Sequence, residues 1–257
     1  MQSIGKATVN KFSTVRSVMR FAGFSLWSVP FGITFKKKVV RNVLLKQVYF
    51  TGLEALPIIS WIAIILGLVI VTQALSIMSK FGGGLIGDVL VWVIVREAGP
   101  VFAAVIVIAR SGTAIASELG SMKINAEVRS LELMGIDPMR YLIAPRVIGT
   151  MLSVFALTFF FEAVAILGGY LLAGFGANVT FSAYTSNILE AMSYQDVLVS
   201  VLKSVIFGLI IGAECSFHGL AVGRSITQIP QKTTRAVMGS LLSVFIVDAF
   251  LTLTFYV

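Results

Sequence analysis

The sequence predicts an all-α integral membrane protein, with an N-terminal interfacial helix, five transmembrane helices and a cytoplasmic helix between the second and third spans. Three observations predict it. Hydrophobic residues fill 57% of the 257 positions and charged residues only 12%, whereas soluble domains are about 45–50% apolar. The mean hydropathy is +0.95. The apolar residues gather in five runs, about 57–79, 85–109, 147–174, 197–219 and 236–257, each near the roughly 20 residues that cross a bilayer.

Residues 1–49 form the N-terminal segment and hold nine bases before the first acid, Glu54. In a soluble chain a net charge of +8 would suggest nucleic acid. Beside apolar runs, the bases instead mark cytoplasmic flanks that favour anionic headgroups, and no nucleic-acid partner is expected. The stretch "FAGFSLWSVPFGITF" at 21–35 contains Pro30 and Gly32 and is too short to span. No small-x-small cleavage site follows it, so it reads as a helix on the inner leaflet rather than a signal peptide.

The bases also orient the spans. With the N-terminus inside, nine fall in 1–49, five in 110–146 and three in 219–235, so 17 of the 20 face the cytoplasm. The positive-inside rule then puts Val257 outside. Within the spans, Gly208 and Gly212 with Ser216, Gly219 and Gly223, and the glycines at 168, 169, 174 and 176 are small residues that let helices approach in lipid. Cys215 and His218 are each the sole residue of their type. An intrachain disulfide and a Cys/His metal cage are therefore excluded, both residues read as packing, and no metal is expected.

The longest inside connection is "ELGSMKINAEVRSLELMGIDPMRYLIAPR", 118–146. Ile124, Val128 and Leu131 recur at helical spacing and Met134 continues the stripe, while Lys123, Glu127, Arg129 and Glu132 cover the other faces. Gly135 is placed to cap the helix, and Asp137-Pro138 stops any continuation. Glu118, Glu127, Glu132 and Asp137 are matched by Lys123, Arg129, Arg140 and Arg146. This mixture suits a protein partner better than a bilayer surface.

Six ionisable residues fall inside predicted spans: Arg96, Glu97, Glu162, Lys203, Glu214 and Asp248. Each must face protein, water or a partner charge. Lys203 is expected to snorkel from a span end, and Glu214 to reach water near the cytoplasmic end. Glu162 and Asp248 are deeper, either hydrogen-bonding supports or part of a cavity. Arg96 and Glu97 are adjacent and cannot pair well with each other on an α-helix. Pro100 cannot donate to the Arg96 carbonyl and so frees a polar group beside the charges. Irregular backbone at this depth needs protein or water around it. Arg96, Glu97, Pro100, Glu162 and Asp248 are thus candidates for a substrate cavity, or else for a buried network joining spans.

"REAGP" at 96–100, followed by "ARSGTAIASELGSMKINAEVRSLELMGIDPMRYLIAPR", resembles the MlaE-type permeases of lipid-transporting ABC systems. The likeness covers about 40–257 in layout and 96–146 in motif. It implies one permease domain over 1–257, in a bacterial inner membrane, with a cytoplasmic N-terminus and a periplasmic C-terminus. It further implies pairing with a second copy, two cytoplasmic ATPase subunits and a periplasmic MCE-domain lipid-binding subunit, with phospholipid or a similar lipid moved between inner and outer membranes. Residues 122–134 would form the helix that couples to the ATPase. Ala126 and Arg129 stand where the family commonly has acids. The chain has no G-x-x-x-x-G-K-[ST], so ATP and Mg2+ are expected in the partner, and neither a cofactor nor a catalytic residue in this chain. Two other classes fit the residues: an ion-coupled secondary transporter relaying through Glu97, Glu162 and Asp248, and a non-transporting scaffold recruiting partners through 118–146.

Overall fold

The computed structural model describes residues 38–81, 86–177, 180–223 and 225–256, and among them all regular structure is helical. The interfacial helix expected at 21–35 lies outside the described residues. Five helical stretches are long and apolar enough to cross a membrane: 41–76, 87–124, 139–174, 194–220 and 228–256. The protein is thus a multi-pass membrane protein.

Helix α1 (Lys38–Thr51) leads through a short 3-10 turn into α2 (Leu56–Phe81). The next rod changes helical type along its length. It runs as α3 (Ile86–Leu90), a π-helical stretch Val91–Ala98, α4 (Gly99–Val107), a second π stretch Ile108–Gly112, and α5 (Thr113–Ile124). It therefore continues well past 109, where the polar run from Arg110 signals an end in the sequence. Arg110 explains the continuation: its guanidinium turns back to the Phe50 carbonyl at 2.6 Å, pairs with Glu54 and stacks 4.9 Å from the Phe50 ring. The Thr113 hydroxyl donates to carbonyls of its own helix. Polar side chains satisfied in this way leave the helix intact.

A short α6 (Glu127–Leu133) follows, then a π turn Met139–Ile143 and the 34-residue α7 (Ala144–Ala177). No long apolar run announces α8 (Phe181–Ala191), which is held down by Tyr184. That phenol is buried, donates to the Ile166 carbonyl at 3.0 Å, and has its pKa pushed up to about 12 by burial. Helix α9 (Tyr194–Leu220) starts in a capping box made by Ser193 and Asp196, and α10 (Gln228–Tyr256) completes the chain.

Helix α7 is the central pillar. A Cβ on Gly208 would lie 2.5 Å from the Met151 Cα, and one on Gly212 2.8 Å from the Val147 Cα, so the small-residue spacing of α9 is used against α7 within the chain. Gly168 meets the Ile64 Cα of α2 in the same way. Trp61, Ile65, Leu171, Phe245 and Phe250 remain exposed around the bundle, as a lipid-facing surface requires.

The segment between the second and third spans differs from the single helix expected over 122–134. Asn125 and Ala126 break it, with Ala126 in the left-handed region at φ +59°. Ile124 therefore ends α5, while Val128 and Leu131 belong to α6, and the four-residue stripe is split between two directions. Leu131 packs back on the cluster of Leu142, Ile143 and Val147. Leu133 and Met134 are the outward residues, 81% and 65% exposed.

Candidate functional site: a charge network across three spans

The end of the bundle away from α6 holds the site. Arg96 and Glu97 leave the first π stretch, where the Gly99 N–H bonds to the Ile94 carbonyl, five residues back. Wider turns of this kind occur often at functional positions. The wider turn narrows the angle between successive side chains, so both residues reach α9 and α10.

Arg96 Nε lies 2.7 Å from Asp196 Oδ1, an ion pair rather than a well-aligned hydrogen bond. Asp196 is wholly buried. It also accepts from the Tyr256 hydroxyl at 3.1 Å and from the Ser193 N–H at 2.9 Å. The α9 N-terminus favours its charge. The Arg96 guanidinium sits over the rings of Tyr256, at 4.3 Å, and Trp92, at 5.5 Å.

Glu97 belongs to a second centre, built on Lys203. The Lys203 ammonium lies 3.0 Å from Glu97 Oε2 and 2.8 Å from Asp248 Oδ1, and donates to the Thr252 hydroxyl and the Arg96 carbonyl. Thr252 in turn donates to Glu97 Oε1 at 2.8 Å. The carbonyl freed by Pro100 is therefore satisfied by a lysine. Lys203 does not snorkel: it is fully buried, because four oxygen atoms, from Glu97, Asp248, Thr252 and the Arg96 carbonyl, converge on its ammonium. Glu214 does not escape to water either. It is buried, accepts from Ser243 at 3.1 Å and lies 3.5 Å from His218 Nε2.

Glu162 is placed beside this centre and not in it. Its carboxylate accepts from Ser200 at 2.7 Å. A Cβ on Gly99 would stand 2.6 Å from the Glu162 Cγ, so the glycine of "REAGP" makes room for this acid. Of the five cavity candidates, Arg96, Glu97 and Asp248 meet through Lys203, Pro100 exposes the carbonyl it uses, and Glu162 adjoins across Gly99.

Asp196, Thr252 and Tyr256 escaped the sequence reading, and Lys203 reads there as a snorkelling residue and not as the centre of a network, though a signal was present. Asp196, Ser200 and Lys203 recur at i, i+4, i+7, and Asp248, Thr252 and Tyr256 at i, i+4, i+8. Each triplet is a polar stripe at helical period on an otherwise apolar span. The network has three acids, Glu97, Asp196 and Asp248, against two bases, Arg96 and Lys203, and its most exposed charge is Glu97.

At the opposite end, Gly135 adopts φ +74° and closes α6 with two bonds, its own N–H to the Glu132 carbonyl and the Ile136 N–H to the Leu131 carbonyl. Asp137 accepts from the Met139 N–H and lies 3.3 Å from Arg140. Glu118 pairs with Arg146 at 2.8 Å, and Lys123 bonds the Leu220 carbonyl. Among the described residues no group of His, Cys, Asp and Glu is arranged to hold a metal ion.

The family described as Permease MlaE matches residues 44–254. The chain belongs to the MlaE permease family. It is 30% identical to a probable ABC transporter permease protein of Rickettsia typhi, covering 97% of this chain and 95% of the relative. It is equally 30% identical to the intermembrane phospholipid transport system permease protein MlaE of Haemophilus influenzae, over 98% and 95% of the two chains. A chloroplast relative from Arabidopsis thaliana, protein TRIGALACTOSYLDIACYLGLYCEROL 1, is 29% identical over 86% of this chain and 63% of its own length. As an MlaE-type permease, the chain supplies membrane spans to an ABC system.

Proposed function

We propose that this permease moves phospholipid between the inner and outer membranes of a bacterium, driven by ATP hydrolysed in a separate cytoplasmic subunit. Membership of the MlaE family carries the reading, together with a relative named for intermembrane phospholipid transport. The N-terminus is cytoplasmic and the C-terminus periplasmic, the arrangement favoured by the distribution of bases. The working unit is a pair of these chains on a pair of ATPase subunits, with an MCE-domain lipid-binding subunit on the periplasmic side.

Arg96 and Glu97 keep 20% and 39% of their side chains exposed, with Trp92 and Tyr256 beside the guanidinium. Two such edges facing across a two-fold axis would make a cavity with a polar floor and apolar walls. A headgroup phosphate there competes with Asp196 for Arg96, which favours release as well as capture. Helix α6 with Gly135 and Asp137-Pro138 is the coupling element. Its exposed Leu133 and Met134 supply the apolar contact to the ATPase, and Glu127, Arg129 and Glu132 flank them.

Reconstitution tests this reading. The chain, purified in mild detergent with its partners, should carry phospholipid and an ATPase by mass spectrometry. In vesicles it should move a labelled phospholipid only with hydrolysable ATP. Transport driven by a proton gradient without ATP would sink the proposal.

A further inference from the structure

The strongest unassigned feature is a cleft of about 610 Å³ between α1, α5 and the start of α7. Lys46, Phe50, Glu118, Met122, Leu142 and Arg146 line it. It lies at the α6 end of the bundle, at the other end of the long second rod from Arg96. Arg146 is 94% buried by residue, and its guanidinium is only half used: Nη2 pairs with Glu118 at 2.8 Å, while the buried Nη1 has no hydrogen-bond partner. A buried donor left without an acceptor is costly. Lys46 stands exposed at the same cleft. Two bases therefore face one acid, and that acid is largely turned to solvent.

We propose that this cleft binds the headgroup of a net-anionic phospholipid from the leaflet next to α6, as a fixed structural lipid distinct from the transported cargo. The phosphate diester accepts from Arg146 Nη1, completing the fork that Glu118 fills on its other side. Lys46 sits beyond it and disfavours the ammonium of a zwitterionic headgroup. Phe50, Met122 and Leu142 offer an apolar path for the start of the acyl chains. Outside the cleft, α1 and the 3-10 turn after it continue this surface with exposed Leu45, Tyr49 and Leu53, an aromatic and aliphatic band suited to the membrane interface. The apolar path separates a lipid from a free phosphate ion. The site rests on the bilayer reading of the spans and not on the transport reading.

The test uses the full chain in nanodiscs containing a trace of diazirine-tagged phosphatidylglycerol or phosphatidylcholine, with crosslinks mapped by mass spectrometry. The anionic analogue should label residues 43–50, 114–122 and 141–146 several-fold more than the zwitterionic one. Lys46→Gln, a change at an exposed position, should lower that preference by roughly fivefold, the factor expected for one basic residue near an anionic surface. Arg146→Gln should abolish labelling of the cleft, while Arg96→Leu leaves it unchanged, which separates this site from the proposed cargo path. Millimolar inorganic phosphate should not compete. Equal labelling by both lipids, indifference to Lys46→Gln, or displacement by free phosphate would each overturn the assignment.

Discussion

At the residue scale, the chemistry of "REAGP" is a matter of neighbours. Gly99 lets Glu162 lie against the second span, since a methyl group there would stand 2.6 Å from its Cγ. Gly99→Ala should therefore destabilise the protein by about 1–3 kcal/mol, as overpacking does. Adding Glu162→Ala should recover part of that loss, because the shortened side chain vacates the space. Thermal unfolding in detergent of the two single variants and the double variant checks this, and purely additive losses would refute the explanation. Lys203 offers a sharper case. Among the described residues it is the one cation paired with both Glu97 and Asp248, and breaking a buried pair from one side costs about 3–5 kcal/mol. Lys203→Met should thus lose most folded protein, and Lys203→Met with Asp248→Asn should regain some of it. Glu97→Leu is the milder change, because Asp248, Thr252 and the Arg96 carbonyl still hold the ammonium. It should fold, leaving any transport defect readable.

At the element scale, the break between α5 and α6 decides which apolar residues meet a partner. Ala126 holds φ +59°, a region that costs a non-glycine residue about 1–2 kcal/mol. Ala126→Gly should keep the turn and raise stability by up to about 1 kcal/mol, whereas Ala126→Val should expose the α6 amides to faster hydrogen exchange. Leu133→Asp should fold normally and weaken co-purification of the ATPase, since Leu133 has little of its own chain to lose. Leu131→Asp should instead damage the permease itself, because Leu131 rests on Leu142, Ile143 and Val147. Equal folding of both variants would contradict that division. The sequence made the Gly135 cap and the Asp137-Pro138 stop legible, because glycine and proline act through their own backbones. The turn at Ala126 was not legible, since alanine is an ordinary helix former and its own chemistry gives no preference for the left-handed region. The π stretches and the burial of Lys203 escaped for a related reason: both depend on a partner helix distant in sequence. The five apolar runs needed no such information.

At the scale of the whole molecule, α9 joins the two ends, with Asp196 and Lys203 in the charge network and Leu220 accepting from Lys123 beside α6. Leu220 lies 17 positions along the helix from Lys203, about 25 Å at 1.5 Å per residue. The network and α6 therefore lie toward opposite ends of the spans, and the direction of insertion decides which end would face a cytoplasmic partner. In sequence, the segments 1–49, 110–146 and 219–235 flank the spans on one and the same side and carry nine, five and three bases, and the inverted orientation would require carrying 17 of 20 bases across the membrane against the positive-inside bias. Topology is open to a direct measurement. In a Cys215→Ala background, which removes the sole native cysteine, single cysteines replace Ser130, Ser186 and Thr227, all exposed. A membrane-impermeant maleimide applied to intact spheroplasts should label position 186 alone, and positions 130 and 227 only after permeabilisation. Labelling of position 130 from outside would invert the molecule. Helix α6 would then be out of reach of any cytoplasmic ATPase, and the coupling role of Leu133 and Met134 would fall with the topology.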